Sequence, residues 1–279
     1  MTERMHATFR KCAEDNKKVF VAYIAAGDPD FTTSLDIVDS LVDAGIDILE
    51  LGVPFSDPLA DGEANQLASD RALKSGMTPL KVLKLAEAIR KKHETLPLVL
   101  FTYLNPIAYS AESGFRDFCL KAVDAGIDAL LPLDLPPEER DSLFDEKHTY
   151  RQIINETGIS VVSLIAPTTK KDRIRLLTAE ADAFIYYVSK EGVTGEGNAF
   201  SADFSDTIKQ IRDNTDLPVV VGFGISTPEH VRSAISTGVD GVVVGSAIVR
   251  KIEAFSKGEI TLCEVGGFVS EMTAAASEY

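Results

Sequence analysis

The 279-residue chain is 45% apolar and 25% charged, enough to bury a large core. Its 28 basic and 43 acidic residues give a formal net charge of −15, which excludes a basic nucleic-acid face and disfavours an anionic membrane surface. With no Trp and 8% aromatic residues, core filling falls to Leu, Ile, Val and Phe.

The stretch 1–17 reads as an amphipathic helix whose Phe9 and Cys12 are placed to plug the bottom of whatever follows. Next comes "KKVFVAYIAAG", two lysines, an apolar run and small residues, which superficially resembles a secretory leader. Glu3, Glu14 and Asp15 lie upstream, however, and Asp28-Pro29 ends the run at once, so a first core strand is expected. Three later stretches share one grammar: "LVDAGIDILELGVP" (41–54), "KAVDAGIDALLPLDLP" (121–136) and "AISTGVDGVVVGSA" (234–247). Each ends a helix at Gly, which tolerates the left-handed conformation, places Asp two residues on, and begins an apolar strand. Such repeats are βα units.

Eight strands are predicted, at 19–26, 48–54, 98–104, 129–135, 160–166, 183–189, 218–222 and 241–245. Helices are predicted between them at 32–44, 79–93, 115–125, 137–157, 170–179, 203–214 and 228–237, with Thr-Pro at two starts reading as N-cap then N1. Eight evenly spaced parallel strands predict a single α/β domain over 1–279, a (β/α)8 TIM barrel, with the N-terminal helix and an added C-terminal helix at 260–277 as packing elements.

Cys12, Cys119 and Cys263 are far apart and form no CxxC, so reduced thiols in a cytoplasmic compartment are expected. His6, His93, His148 and His230 have no ligand spacing; no metal is expected, and His93 and His148 are expected to be solvated. No apolar run approaches the ~20 residues of a membrane span.

Barrel chemistry sits at the C-terminal ends of the strands. In "LELGVPFSDPLADG" (49–62), alternation turns Leu49 and Leu51 toward the helices and Glu50 into the barrel, with Gly52 leaving open volume above it. A carboxyl there is poorly solvated, its pKa rises, and it suits general acid–base work; the alternative is a buried pair with Arg or Lys. Asp57 and Asp61 follow in turn-forming contexts. For Asp57 turn formation and function weigh equally, and for Asp61 a second active-site carboxylate is plausible beside the turn role. At the last three strands, "EGVTGEG", "VGFGIST" and "VGSAIV" are Gly-rich turns, the third leading into a helix, which fits a phosphate site; tight βα turns of a generic barrel are the alternative. The residues by themselves stop at a barrel enzyme acting on a small phosphate-bearing molecule.

"LELGVPFSDPLADG" with "AYIAAGDPD" (22–30), "YLNPI" (103–107), "EGVTG", "GFGIS" and "GSAIV", in this order, closely resembles the tryptophan synthase alpha chain family over essentially the whole length. The resemblance implies retro-aldol cleavage of indole-3-glycerol phosphate to indole and glyceraldehyde 3-phosphate. It implies no cofactor in this chain and a beta-chain partner carrying pyridoxal phosphate, in an alpha2-beta2 heterotetramer. Glu50 would protonate indole C3 and help remove the glycerol hydroxyl proton, and Asp61 would bind the indole N–H. Gly195, Gly224, Gly245 and Ser246 would take the phosphate. Tyr23, Phe101, Tyr103, Leu131, Tyr186 and Phe223 would line the indole pocket, and Pro54 and Asp57 would meet the partner. The chain departs from the family at Ala25 (commonly Thr), at Glu63 and Asn65 (often Pro and an apolar residue), at Lys190 (often Arg), and in a longer 139–158 segment. Other phosphate-binding barrels, a stand-alone indole-releasing lyase and a non-catalytic activator of a beta chain are the competing expectations.

Overall fold

The computed structural model describes residues 2–110, 114–140, 149–188, 202–222 and 224–278. Nine strands run in parallel: β1 (Val19–Ala25), β2 (Ile48–Gly52), β3 (Leu98–Thr102), β4 (Ala129–Pro132), β5 (Ser160–Val161), β6 (Ser163–Ile165), β7 (Ile185–Val188), β8 (Val219–Gly222) and β9 (Gly241–Val244). Their order is β5-β4-β3-β2-β1-β9-β8-β7-β6. Only Val162 separates β5 from β6, and its N–H donates to the carbonyl of Leu130 at 2.9 Å, so the two are one staggered barrel position and the sheet closes on itself. The expected fifth strand is therefore split, its first part pairing with β4 and its second with β7.

Among the described residues the helices are α1 (Glu3–Glu14), α2 (Phe31–Asp43), α3 (Glu63–Lys74), α4 (Pro79–Lys92), α5 (Leu104–Ala108), α6 (Gly114–Asp124), α7 (Tyr150–Thr157), α8 (Lys171–Glu180), α9 (Ala202–Arg212), α10 (Pro228–Ile235), α11 (Ser246–Ser256) and α12 (Leu262–Ala276). Thr78 and Thr227 cap α4 and α10 with Pro just inside, as predicted. α11 is the helix expected after the third Gly-rich turn, and two further helices, α3 and α5, lie outside the predicted set. α3 has a weak apolar stripe and a Gly N-cap with no side-chain bond, and α5 is a single turn inside an apolar run that ends its strand at Thr102. The long helix expected at 137–157 is a turn at 137–140 and then α7; 141–148, with His148, lies outside the described residues. His93 is not simply solvated: it is half-buried, and its Nε2 lies 2.7 Å from Asp39 Oδ1 at the end of α4.

The Gly-x-Asp repeat builds the lower rim. Gly45, Gly126 and Gly238 all have φ between 85° and 89°. The Asp that follows caps the neighbouring strand: Asp47 accepts from Phe20 N (2.8 Å), Asp128 from Leu98 N (2.9 Å) and Asp240 from Val219 N (2.7 Å). Asp182 does the same for Val161 N without the preceding glycine. Alternate residues then divide the core. Leu49, Leu51, Leu98 and Leu100 face the helices. Val21, Ile48, Val99, Ala129, Leu131, Val162, Phe184, Val220 and Val243 fill the barrel with Met5 and Cys12 of α1, and Phe9 packs on Phe184 at 5.9 Å. The N-terminal plug is thus as expected, with Met5 as its deepest residue.

Candidate active site

Glu50 pairs in register with Tyr23 on β1 and Val99 on β3, and it turns inward because Leu49 and Leu51 occupy the outer face. It is 1% exposed, and no described group donates to either carboxylate oxygen. Burial alone raises its pKa to about 8, so the carboxyl holds its proton at neutral pH. The ion-pair alternative is not realised. The open volume expected above Gly52 is taken by Tyr23: a Cβ at Gly52 would overlap the Tyr23 hydroxyl, and one at Gly222 would overlap that of Tyr186. Two interior glycines thus admit two phenol rings beside the acid. Tyr23 also meets Phe101 edge-on at 4.9 Å, and Phe101 is in register with both Gly52 and Leu131.

Asp61 reaches the same space from the loop after β2. Its Oδ2 accepts from the Tyr103 hydroxyl at 2.7 Å, its Oδ1 from Asn65 Nδ2 at 3.4 Å, and the Tyr103 oxygen in turn accepts from Ala60 N at 2.9 Å. Its backbone does form the expected turn, Asp61 N donating to the carbonyl of Pro58 at 3.0 Å, while its side chain points to Tyr103. Burial raises the Asp61 pKa, opposed by the hydrogen bonds from Tyr103 and Asn65. Burial, and then the negative potentials of both carboxyls, raise the phenols of Tyr23 and Tyr186. Both carboxyls thus act electrostatically on the same two phenol rings. Asp57 is exposed, its carbonyl accepting from Leu59 N in a turn, and Pro54 is buried at the root of the loop.

The other side of the mouth carries Gly224, Gly245 and Ser246. Gly224 is exposed with φ 76°, a conformation that a side chain would strain. Gly245 is the N-cap of α11 with no side-chain bond, so the first N–H groups of that helix and of Ser246 are available to an anion. Gly195, Phe223 and Lys190 lie outside the described residues. His230, read in the sequence only as a histidine without ligand spacing, lies beside the Gly224 turn. In the first turn of α10, it has Nδ1 3.3 Å from the Gly224 carbonyl and accepts from Ser226 N at 3.3 Å. The visible signal was a titratable residue soon after a Gly-rich turn. The Ala25 departure is accommodated by an apolar cluster with Ala64, Ala68 and Val249, and Glu63 takes the first helical position, where an acid and a Pro both suit the helix N-terminus.

A groove of about 780 Å³ lies at the opposite end of the barrel, against α1, lined by Lys17, Arg212 and Asp240. Asp240 there is paired with Arg212 at 2.5 Å and Asp182 accepts from Val161 N, and none of the buried polar residues in the groove is a carboxyl without a donor.

A closed parallel barrel with a buried, donor-free carboxyl in its second strand and a hydrogen-bonded carboxyl in the loop that follows defines a member of the (β/α)8 class. Comparison with known proteins narrows this. A family model described as tryptophan synthase alpha chain matches residues 9–277. The tryptophan synthase alpha chain of Opitutus terrae is 45% identical over 249 residues, covering 89% of both chains, and that of Geobacter sp. is 42% identical over 270 residues, covering 96% of both. The crystal structure of tryptophan synthase subunit alpha from Legionella pneumophila superposes with a TM-score of 0.87 at 33% identity over 100% of both chains. The chain belongs to the tryptophan synthase alpha chain family.

Proposed function

We propose that Glu50 and Asp61 carry out the cleavage that this chain, as an alpha-chain lyase, performs on indole-3-glycerol phosphate. The products are indole and glyceraldehyde 3-phosphate. In the proposed sequence the Glu50 proton passes to indole C3, placing positive charge on the ring nitrogen. The ionised Asp61 accepts the indole N–H and stabilises that charge. The bond between C3 and the glycerol carbon then breaks, its electron pair returning to the indole ring. The hydroxyl on the departing carbon gives up its proton as its C=O forms, and the Glu50 carboxylate is placed to take it. One proton is added and one removed, so the acid is regenerated. Tyr23, Phe101, Leu131, Tyr186 and Phe223 supply apolar walls for the indole, with Tyr103 holding Asp61. Gly195, Gly224, Gly245 and Ser246 take the phosphate, largely through backbone N–H groups.

The observation that carries this assignment is the pair itself: a buried carboxyl without a donor, in register with Tyr23, and a second carboxyl with two donors in the loop after the same strand. We assign no cofactor to this chain. The partner is a beta chain, and pyridoxal phosphate and the alpha2-beta2 stoichiometry belong to that proposed complex. A cytoplasmic setting is consistent with free thiols at Cys12, Cys119 and Cys263, two of them buried. No described helix is long and apolar enough to cross a membrane.

The test is indole release from indole-3-glycerol phosphate by the full chain, alone and with a beta chain. Glu50→Gln is expected to abolish nearly all turnover in both conditions. Asp61→Asn is expected to lose roughly the few kcal/mol of one well-placed transition-state interaction. Wild-type turnover in either variant removes that residue from the mechanism.

A further inference from the structure

Asn65 stands in the first turn of α3, between the two halves of the mouth. Its Nδ2 donates to Asp61 Oδ1 at 3.4 Å, and its Oδ1 accepts from the Ser246 hydroxyl at 3.5 Å. The two contacts define one orientation of the amide, since a carboxylate only accepts and the Ser hydroxyl here donates. The surroundings do not call for an amide. Ala64 and Ala68 on either side are buried against Tyr23, Ala25 and Val249, a setting in which an apolar side chain packs equally well. Both contacts are long for hydrogen bonds, and active-site hydrogen bonds commonly tighten when substrate is bound.

Asp61 explains what such a bridge does. Tyr103 holds only its Oδ2, at 2.7 Å, and one anchor leaves the carboxylate plane free to turn. A second donor on Oδ1 sets the plane. Ser246 opens α11, the helix whose N-terminal N–H groups face the phosphate side of the mouth. Resting on the site assignment proposed above, we infer that Asn65 is a positioning residue that links the phosphate turn to Asp61, so that phosphate held at Gly245 and Ser246 orients the carboxylate that receives the indole N–H. Phosphate, distant from the bond that breaks, then contributes to turnover as well as to affinity.

The experiment compares Asn65→Leu, Asn65→Asp and Asp61→Asn in the full chain with its beta partner in excess, following kcat and KM for indole-3-glycerol phosphate from pH 5 to 9. Asn65→Leu is expected to lower kcat by about tenfold, as for a lost orienting contact, with KM changed less than threefold. It also removes a donor to Asp61, so the acid limb of the kcat profile moves to higher pH. Asn65→Asp keeps the shape but sets a carboxylate against a carboxylate, and it is expected to move that limb further. It serves as the second variant if the leucine disturbs folding. An unchanged kcat and acid limb in both variants, or a loss confined to KM, overturns the inference. Full turnover in Asp61→Asn overturns the site assignment itself, whatever the Asn65 variants do.

Discussion

At the scale of single residues, Glu50 shows what it means to bury an acid without a donor. Nothing compensates the lost hydration of the charge, so the neutral form is kept, with a pKa of about 8 against an ordinary 4.5. The sign of the consequence follows. Between those values the native state retains a proton that the unfolded chain releases, so the contribution to stability is complete below about pH 4.5, declines as pH rises, and is gone above about 8. Glu50→Gln replaces the acid by a neutral isostere and removes this slope. Urea melts are expected to show the variant close to wild type at pH 5 and more stable by a few kcal/mol at pH 8.5. Parallel pH dependences in the two proteins would mean that Glu50 is ionised in the native state. This residue was legible in the sequence because an acid inside an apolar strand has no bland account without a cation nearby, and the strands contain none. The hydrogen bond from Tyr103 to Asp61 was not legible, because it joins loops 42 residues apart in sequence whose meeting depends on the barrel having closed.

At the scale of elements, the Gly-x-Asp repeat was visible as punctuation, but its physical purpose was not. Glycine at positive φ ends the helix, and the Asp then satisfies the first or second N–H of the adjacent strand, a donor at the rim. The clearest case is Asp128, 0% exposed, which accepts from Leu98 N, Thr2 Oγ1, Arg4 Nε and Arg90 Nη2, all between 2.9 and 3.0 Å. It joins β3, β4, α1 and α4 at one point. Asp128→Ala removes the anion that these bonds place beside the Arg4 and Arg90 guanidinium groups, and takes an acceptor from a hydroxyl and a backbone N–H, while Arg90 keeps the carbonyls of His93, Glu94, Leu96 and Gly126. Chemical denaturation is expected to register a loss of about 3–5 kcal/mol, with the barrel plug α1 loosened first in hydrogen exchange. A loss below 1 kcal/mol would show that water replaces the carboxylate at no cost. The elements missed in the sequence have the opposite character. α3 and α5 bury little and lack a side-chain N-cap, so neither periodicity nor capping announced them. The splitting of the fifth strand reflects closure stagger, a property of the whole sheet that no local stretch of sequence carries.

For the whole molecule, closure and charge together decide where anything enters or leaves. The bottom of the barrel is filled by Met5, Cys12 and Phe9, so substrate and indole must use the mouth. With a net charge of −15, the proposed phosphate site depends on local N–H groups at the last strands. The same face carries two large apolar side chains in water, Leu59 in the loop after β2 and Tyr109 just after α5, each 84% exposed. Isolated apolar residues on a surface need no explanation, but Leu59 lies in the loop that bears Asp61, close in sequence to Asp57 and Pro54, and Tyr109 follows the short helix that Tyr103, the donor to Asp61, caps. That position suits contact with the proposed beta chain, and a contact there would press the Asp61 loop toward Glu50. Leu59→Asp and Tyr109→Asp are accordingly expected to weaken association with a beta chain at least tenfold, about 1.4 kcal/mol or more, by titration calorimetry. Indole release by the chain alone is expected to stay within twofold of wild type, because both side chains stand largely in water, while stimulation by the partner is lost at concentrations that saturate the native protein. Unaltered association in both variants would place the partner elsewhere on the barrel. Loss of the unassisted activity would instead make Leu59 or Tyr109 part of the pocket wall, and the loop after β2 would then be organised by substrate without any contribution from the partner.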